Sequence, residues 1–284
     1  MDLAHEYAYL LVTGDFSEAE FEARTHLKRG WFYPAGTQEG HWFYPQNTMV
    51  IRGHTTHQYV ADSIQALIDQ VSIFYPEEWL TKWRCCIHAV IYASGYQGGG
   101  FYWSADLIRQ LAVNRCQVQV YHHQVPQYGH DHAGGVWQLN TAFEPRVPNA
   151  QVYFSLYSSQ YGAEQISQIM EITPSQAVSR HELITNTPRL AHLTHHPHTR
   201  WILESREASD QPLLAHLIDV LNQIEPCHRQ IWQLHQDMDI SMRLTATGHF
   251  PSQHVLIFDQ ALLKRLAALH LSLDFDHYFL GDDP

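Results

Sequence analysis

Histidine is the residue type in excess, with 22 in a chain of 284. The densest groups are His192, His195, His196 and His198, then His122, His123, His130 and His132. Imidazoles bind a metal when several converge from ordered positions. Both groups lie in aperiodic stretches and no HExxH occurs, so they read as surface histidines and no metal is assigned. Cys85-Cys86 has only Arg84 as a basic neighbour, whereas a nucleophilic thiolate needs an electropositive setting. No GxSxG elbow is present. Gly98-Gly99-Gly100 lacks the lysine of a phosphate loop and reads as a hairpin turn. Paired carboxylates occur at Glu77-Glu78, Asp237/Asp239 and Asp274/Asp276. Glycosidase-like chemistry would need such a pair across a cleft. Asp274 and Asp276 are two apart in a strand pattern and share the face opposite Leu273 and Phe275, with Asp282-Asp283 following. The inventory assigns no catalytic residue and no cofactor.

The elements that carry these residues occur twice. SADLIRQLAVNRCQVQVY, Ser104 to Tyr121, lies without a gap on DQALLKRLAALHLSLDFD, Asp259 to Asp276. Each opens on an N-cap residue, Ser104 or Asp259. Each then places apolar residues at helical spacing (Leu107, Ile108, Leu111; Leu262, Leu263, Leu266) and switches to strand alternation (Val118, Val120; Leu271, Leu273, Phe275). Three further segments match in the same order. Ala8, Leu10 and Val12 fall on Val152, Phe154 and Leu156. Leu67, Ile68, Asp69 and Pro76 fall on Leu217, Ile218, Asp219 and Pro226, where both helices are expected to stop. Strands at Ile87 to Ala93 and Ile240 to Ala246 coincide and each ends on a glycine, Gly95 and Gly248.

The expected fold class is α+β: two tandem copies of a β-α-β-α-β-(β)-α-β domain with antiparallel or mixed sheets and helices packed on them. The first copy spans 1–121, an irregular stretch rich in Pro, Gly and polar residues forms a linker at 122–149, and the second copy spans 150–284. The copies diverge in their inserts. The first carries GWFYPAGTQEGHWFYP, in which Trp31, Phe32 and Tyr33 recur as Trp42, Phe43 and Tyr44; the second, Thr173 to His198, is rich in Pro, Thr and His. Exposed loops on a fixed scaffold are where binding residues concentrate. The copies also diverge in charge: Gln119 and Tyr121 stand where Asp274 and Asp276 stand.

A net charge of −12 argues against nucleic acid and anionic membrane as partners, since both are polyanions that demand basic patches. A basic protein is the natural complement. The 4 cysteines show no framework or zinc spacing. Met1 to Leu11 lacks the basic start of a secretory signal, and no apolar run reaches the ~20 residues of a membrane span. A cytoplasmic protein is expected.

The second copy, from VYFSLYSSQYGAEQISQIMEITPSQA through RWILES and PLLAHLIDVLNQIEP to LLKRLAALHLSLDFDHY, resembles a bacterial domain-of-unknown-function family, number 4279. The marks are Ile172 to Ser175, Trp201, and Leu266 to Tyr278. The first copy keeps the frame but has Lys28-Arg29 in place of the Pro-Ser after its first helix. The resemblance brings no established activity. Small bacterial domains of this kind are often encoded beside toxins as immunity proteins. The expected function is therefore a binding protein, a cytoplasmic immunity protein that occludes a cognate basic toxin. Trp31, Phe32, Tyr33, Trp42, Phe43 and Tyr44 would be its anchors, and Asp274, Asp276, Asp282 and Asp283 its steering charges. The competing class is a small-ligand binder or an enzyme with its pocket between the copies, such as one that reverses a toxin's modification. A concave cleft holding titratable residues of both copies would favour that class, and a broad exposed acidic or aromatic patch the inhibitor.

Replacing His192, His195, His196 and His198 together by Ala is expected to leave the unfolding midpoint within experimental scatter. Tight stoichiometric metal, measured by elemental analysis and lost in that variant, would contradict the assignment.

Overall fold

The structure, a computed structural model, describes residues 6–25, 30–39, 42–52, 59–72, 83–94, 100–125, 149–184, 195–237, 239–250 and 253–279. The chain opens with β1 (Glu6–Gly14), whose Ala8, Leu10 and Val12 point into the core while Tyr7, Tyr9 and Leu11 take the other face. Then come α1 (Glu18–Thr25), β2 (Gly30–Tyr33), β3 (Thr37–Glu39), β4 (Trp42–Tyr44), β5 (Asn47–Arg52) and α2 (Val60–Ser72). The first half closes with β6 (Arg84–Ser94), β7 (Phe101–Trp103), α3 (Ala105–Val113) and β8 (Cys116–Val125). The second half runs β9 (Asn149–Ser158), α4 (Ala163–Met170), β10 (Gln176–Val178), β11 (Thr199–Glu204) and α5 (Leu213–Ile224). A 3-10 turn (Glu225–Cys227) leads to α6 (His228–His235), β12 (Ser241–Phe250), β13 (Gln253–Phe258), α7 (Gln260–Ala268) and β14 (Leu273–Phe279).

Two mixed sheets of six strands result. One has the order β2-β5-β1-β6-β8-β13 and the other β10-β11-β9-β12-β14-β7. The parallel pair β6–β8 is bridged by α3 and the parallel pair β12–β14 by α7, as a crossover requires. The protein is thus of the α+β class with mixed sheets and helices packed on them. The local signals act as the sequence implies. Ser104 accepts the Leu107 amide (3.1 Å) and Asp259 the Leu262 amide (2.8 Å). Past each helix the chain turns through a left-handed residue, Arg115 (φ 51°) and His270 (φ 53°), a conformation more often filled by glycine.

The edges of the sheets depart from expectation. A hairpin was expected at Gly98 to Gly100, of which only Gly100 is among the described residues. Yet β7 does not return onto β6, because β8 already occupies that side of β6. It crosses to the second sheet and pairs antiparallel with β14, Trp103 opposite Leu273 and Phe101 opposite Phe275. In return β13 leaves the second half and pairs with β8, Phe258 opposite Val118 and Leu256 opposite Val120. The two helices that precede β8 and β14, α3 and α7, pack on each other beside this exchange.

Aromatic rings fill the seam. Phe101 lies 4.7 Å from Phe275 and 4.8 Å from Trp103, and Trp103 lies 4.8 Å from Phe258, as ring centroids. All four are buried. Gln260 of α7 donates to the carbonyls of Leu111 and Cys116 at the exit of α3. The apolar residues of both halves therefore form one continuous cluster, where the sequence implied two separate cores.

Further differences have local causes. β8 runs on to Val125, into the stretch expected as linker, because it is paired on both sides, by β6 and β13. His122, expected in a loop, is on that strand and fully buried, its ring 5.4 Å from Phe275. Gly248 lies inside β12 and does not end it; the Phe250 ring covers it so closely that a Cβ would sit 2.0 Å from the ring. α6 has no counterpart among the elements expected from the sequence. The chain resumes a helix after the Pro226 turn, burying Cys227, Ile231 and Leu234 at helical spacing.

Phe258→Ala is expected to cost about 3–5 kcal/mol, the usual range for a buried ring. Urea unfolding followed by fluorescence and by circular dichroism should stay a single coincident transition, and separate transitions for the halves would contradict a shared core.

Candidate functional site

The exchange leaves a cleft of about 450 Å³ at the end of the seam. One wall is the pair Gly100 to Tyr102 and Asp274 to Asp276; the other is Tyr59 to Asp62 at the start of α2, with Glu6 at the head of β1. Strand alternation places Phe101 and Phe275 inward and leaves Tyr102 and Asp274 as cross-strand neighbours on the open side. Tyr59 is 59% and Tyr102 53% exposed, so two rings stand free at the mouth. Gly100 permits the close approach of the strands: a Cβ there would lie 2.6 Å from the Phe275 carbonyl oxygen.

Four carboxylates line this space, Glu6, Asp62, Asp274 and Asp276, and among the described residues no basic side chain does. Glu6 accepts the Val60 amide through Oε2 at 2.6 Å, serving as the cap of α2 from a distant strand. Burial pushes its pKa up; the Val60 amide opposes that and Asp62 adds to it. Asp276 is also raised, first by desolvation and then by Asp274, with Arg243 opposing. Arg243, outside the cleft lining, reaches Asp274 at 3.2 Å. Desolvated like charges favour whatever neutralises them, either a proton or a bound cation. Among the described residues no three His, Cys, Asp or Glu side chains converge to hold a metal. Spread carboxylates between aromatic rings suit an ammonium or guanidinium group instead.

In the sequence match none of these four acids has an acidic counterpart. Under the sequence match, Ala150 stands for Glu6, Pro212 for Asp62, Gln119 for Asp274 and Tyr121 for Asp276.

The structure brings together only part of the residues singled out from the sequence. Asp274 and Asp276 face the cleft, while Asp282 and Asp283 lie outside the described residues. The aromatic insert is strand, not irregular loop. Phe16 packs 6.2 Å from Phe32, Tyr33 stacks on Tyr44 at 4.4 Å, and Asn47 ties the turn by accepting the Ala35 amide. Trp31 is 49% and Phe43 63% exposed. Trp42 is on β4, but its side chain is outside the described set. β2 is the outer edge of the first sheet, so this aromatic group and the acidic cleft are separate features. Of the histidine groups, His195 and His198 are exposed and His196 half-buried; His123 is on β8 with its side chain outside the described set, and His130, His132 and His192 lie outside the described residues. The pair Glu77-Glu78 does as well.

The remaining chemical candidates are held in unreactive states. Cys86 and His88 share one face of β6, as a nucleophile and base would. Burial instead drives the Cys86 thiol up to about 12 and His88 down to about 4, and His88 Nδ1 is engaged by the Tyr9 hydroxyl at 3.2 Å. A nucleophilic thiol needs the opposite shift. Asp239 accepts the Ser158 and Ser159 hydroxyls and the amides of Ser159 and Gln160, which hold its pKa down. Asp237 accepts the Tyr161 hydroxyl at 2.8 Å. This pair pins the turn after β9.

Sequence reasoning missed Glu6, Asp62, Tyr59 and Tyr102. The one signal available was the same asymmetry that exposed Asp274 and Asp276, an acid facing a neutral residue in the matched segment.

Residues 148–280 match the family model of a domain of unknown function (DUF4279). No curated protein matches the chain.

Gly100→Ala is expected to force β7 off β14 and cost about 1–3 kcal/mol, as overpacking against backbone does. Chemical denaturation measures it, and an unchanged midpoint would mean that the strands are not in this close register.

Proposed function

We propose that this is a binding protein, built from two divergent copies of one α+β unit, that neutralises a basic protein partner by occlusion. The most concrete form is a bacterial immunity protein acting on a cognate toxin in the cytoplasm. The observation that carries the reading is the cleft: four carboxylates and two exposed tyrosines, with no basic side chain among the described residues that line it. A lysine or arginine of the partner entering there would neutralise two desolvated carboxyls and lie against an aromatic face. The exposed Trp31 and Phe43 form a second surface for the same partner. The matching strand orders of the two sheets support the two-copy reading, with residues 1–125 as the copy that diverged.

A second reading keeps the cleft and changes the ligand. Its carboxylates come from both halves, Glu6 and Asp62 from one and Asp274 and Asp276 from the other. That is the arrangement expected of a pocket for a small cationic molecule or of an enzyme that reverses a toxin's modification.

Coexpressed with the toxin encoded beside it, the protein is expected to restore growth and copurify in a lasting complex. Asp274→Lys with Asp276→Lys should slow association about tenfold and flatten its salt dependence, since complementary charges act mainly on encounter. Affinity should also fall as the pH is lowered. Glu6 and Asp276 have raised pKa values, so they take up protons before ordinary carboxyls and lose the charge that a cation needs. Protection at far below one molecule per toxin, without a lasting complex, would replace the inhibitor by the enzyme.

A further inference from the structure

The surfaces by which the halves hold each other are nearly the same surface used twice. β7 meets β14 with Trp103 opposite Leu273 and Phe101 opposite Phe275. β13 meets β8 with Phe258 opposite Val118 and Leu256 opposite Val120. In the sequence match Phe258 corresponds to Trp103, Leu256 to Phe101, Leu273 to Val118 and Phe275 to Val120. The exchanged pairings thus have one register. The helix seam has the same property: α3 buries Leu107, Ile108 and Leu111, and α7 buries Leu262, Leu263 and Leu266.

From this we infer that the second half, residues 149–279, is self-complementary and pairs with a second copy of itself by mutual exchange of β13, so that this chain is a covalently fused form of such a pair. The inference rests on the two-copy reading. With β13 of one copy laid on β14 of another, Phe258 takes the place of Trp103 opposite Leu273. Leu256 takes that of Phe101 opposite Phe275, apolar for apolar in buried positions. Ile257, 44% exposed, takes the place of Tyr102 opposite Asp274, so no like charges meet. A second α7 offers the facing α7 the same three leucines. Both copies thereby cover the free edge of β14, which an isolated half would expose.

The fit gives out at one place. Val255 falls where Gly100 stands, and a Cβ at Gly100 would lie 2.6 Å from the Phe275 carbonyl. Self-pairing is therefore weaker than pairing with the first half, which wins whenever it is present. Divergence at Gly100 acts as a specificity device that makes the unlike pair the preferred one.

The test divides the chain within 126–148 and coexpresses both halves, so that the first half is always present to receive the second. At equal expression a 1:1 complex is expected. With the second half in excess, the surplus should appear as its dimer at twice the half's mass in native mass spectrometry. Ile257→Cys with Asp274→Cys in the second half gives an independent readout. A short thiol cross-linker should join two second halves in that dimer and leave the 1:1 complex unlinked, since there Ile257 faces Gln119 and Asp274 faces Tyr102. If the 1:1 complex forms but the surplus is monomeric, aggregated, degraded or not cross-linked, self-complementarity is overturned. If the 1:1 complex itself fails to form, the exchange fails, and with it the two-copy reading.

Discussion

The free edges of two parallel strands are the problem that the rest of this molecule solves. β8 and β14 each arrive beside their sheet by a helical crossover and would present a row of unpaired amides and carbonyls to solvent. Such edges recruit other chains unless they are covered. Here each is covered by a short strand borrowed from the other half, β13 on β8 and β7 on β14. The borrowed strands carry large rings, so the same move that satisfies the backbone also buries Phe101 against Phe275 and Trp103 against Phe258 and joins the apolar residues of both halves into one cluster.

Sharing a core has a cost in folding and a consequence for function. The pairing Phe258–Val118 closes a loop that contains most of the second half, and closing so long a loop slows folding. The cleft inherits this dependence. Its walls are β7 and β14 on one side and the start of α2 on the other, with Glu6 reaching from β1 to hold the Val60 amide. The halves make the site jointly, and any ligand bound there reports on the exchange.

The polar groups sort into two kinds. Burial holds the Cys86 thiol up and the His88 imidazole down in pKa, and hydrogen bonds from Ser158, Ser159 and Gln160 hold Asp239 down. Glu6 and Asp276 are the opposite case, with charges raised in energy by their surroundings and only partly compensated. Unsettled charge at the mouth of a cleft is what a cationic partner can use.

Local order was legible in the sequence because it depends on neighbours. Ser104 and Asp259 cap their helices, the apolar spacing of Leu107, Ile108 and Leu111 faces the core, and Leu273 and Phe275 alternate with Asp274 and Asp276 as a half-buried strand must. The match between Ser104 to Tyr121 and Asp259 to Asp276 likewise implied equal elements at both places, and α3–β8 and α7–β14 are those elements. Strand partners are different, since a three-residue strand such as Phe101–Trp103 carries no mark of which edge it will join. Its alternation says that Phe101 and Trp103 are buried, not against what. That choice was made by the occupancy of β6 and the open edge of β14, facts of topology that exist only in the folded chain. The cleft followed from the same choice. Glu6, Asp62, Asp274 and Asp276 are scattered along the sequence, and only the exchange of β7 into the second sheet sets them around one space.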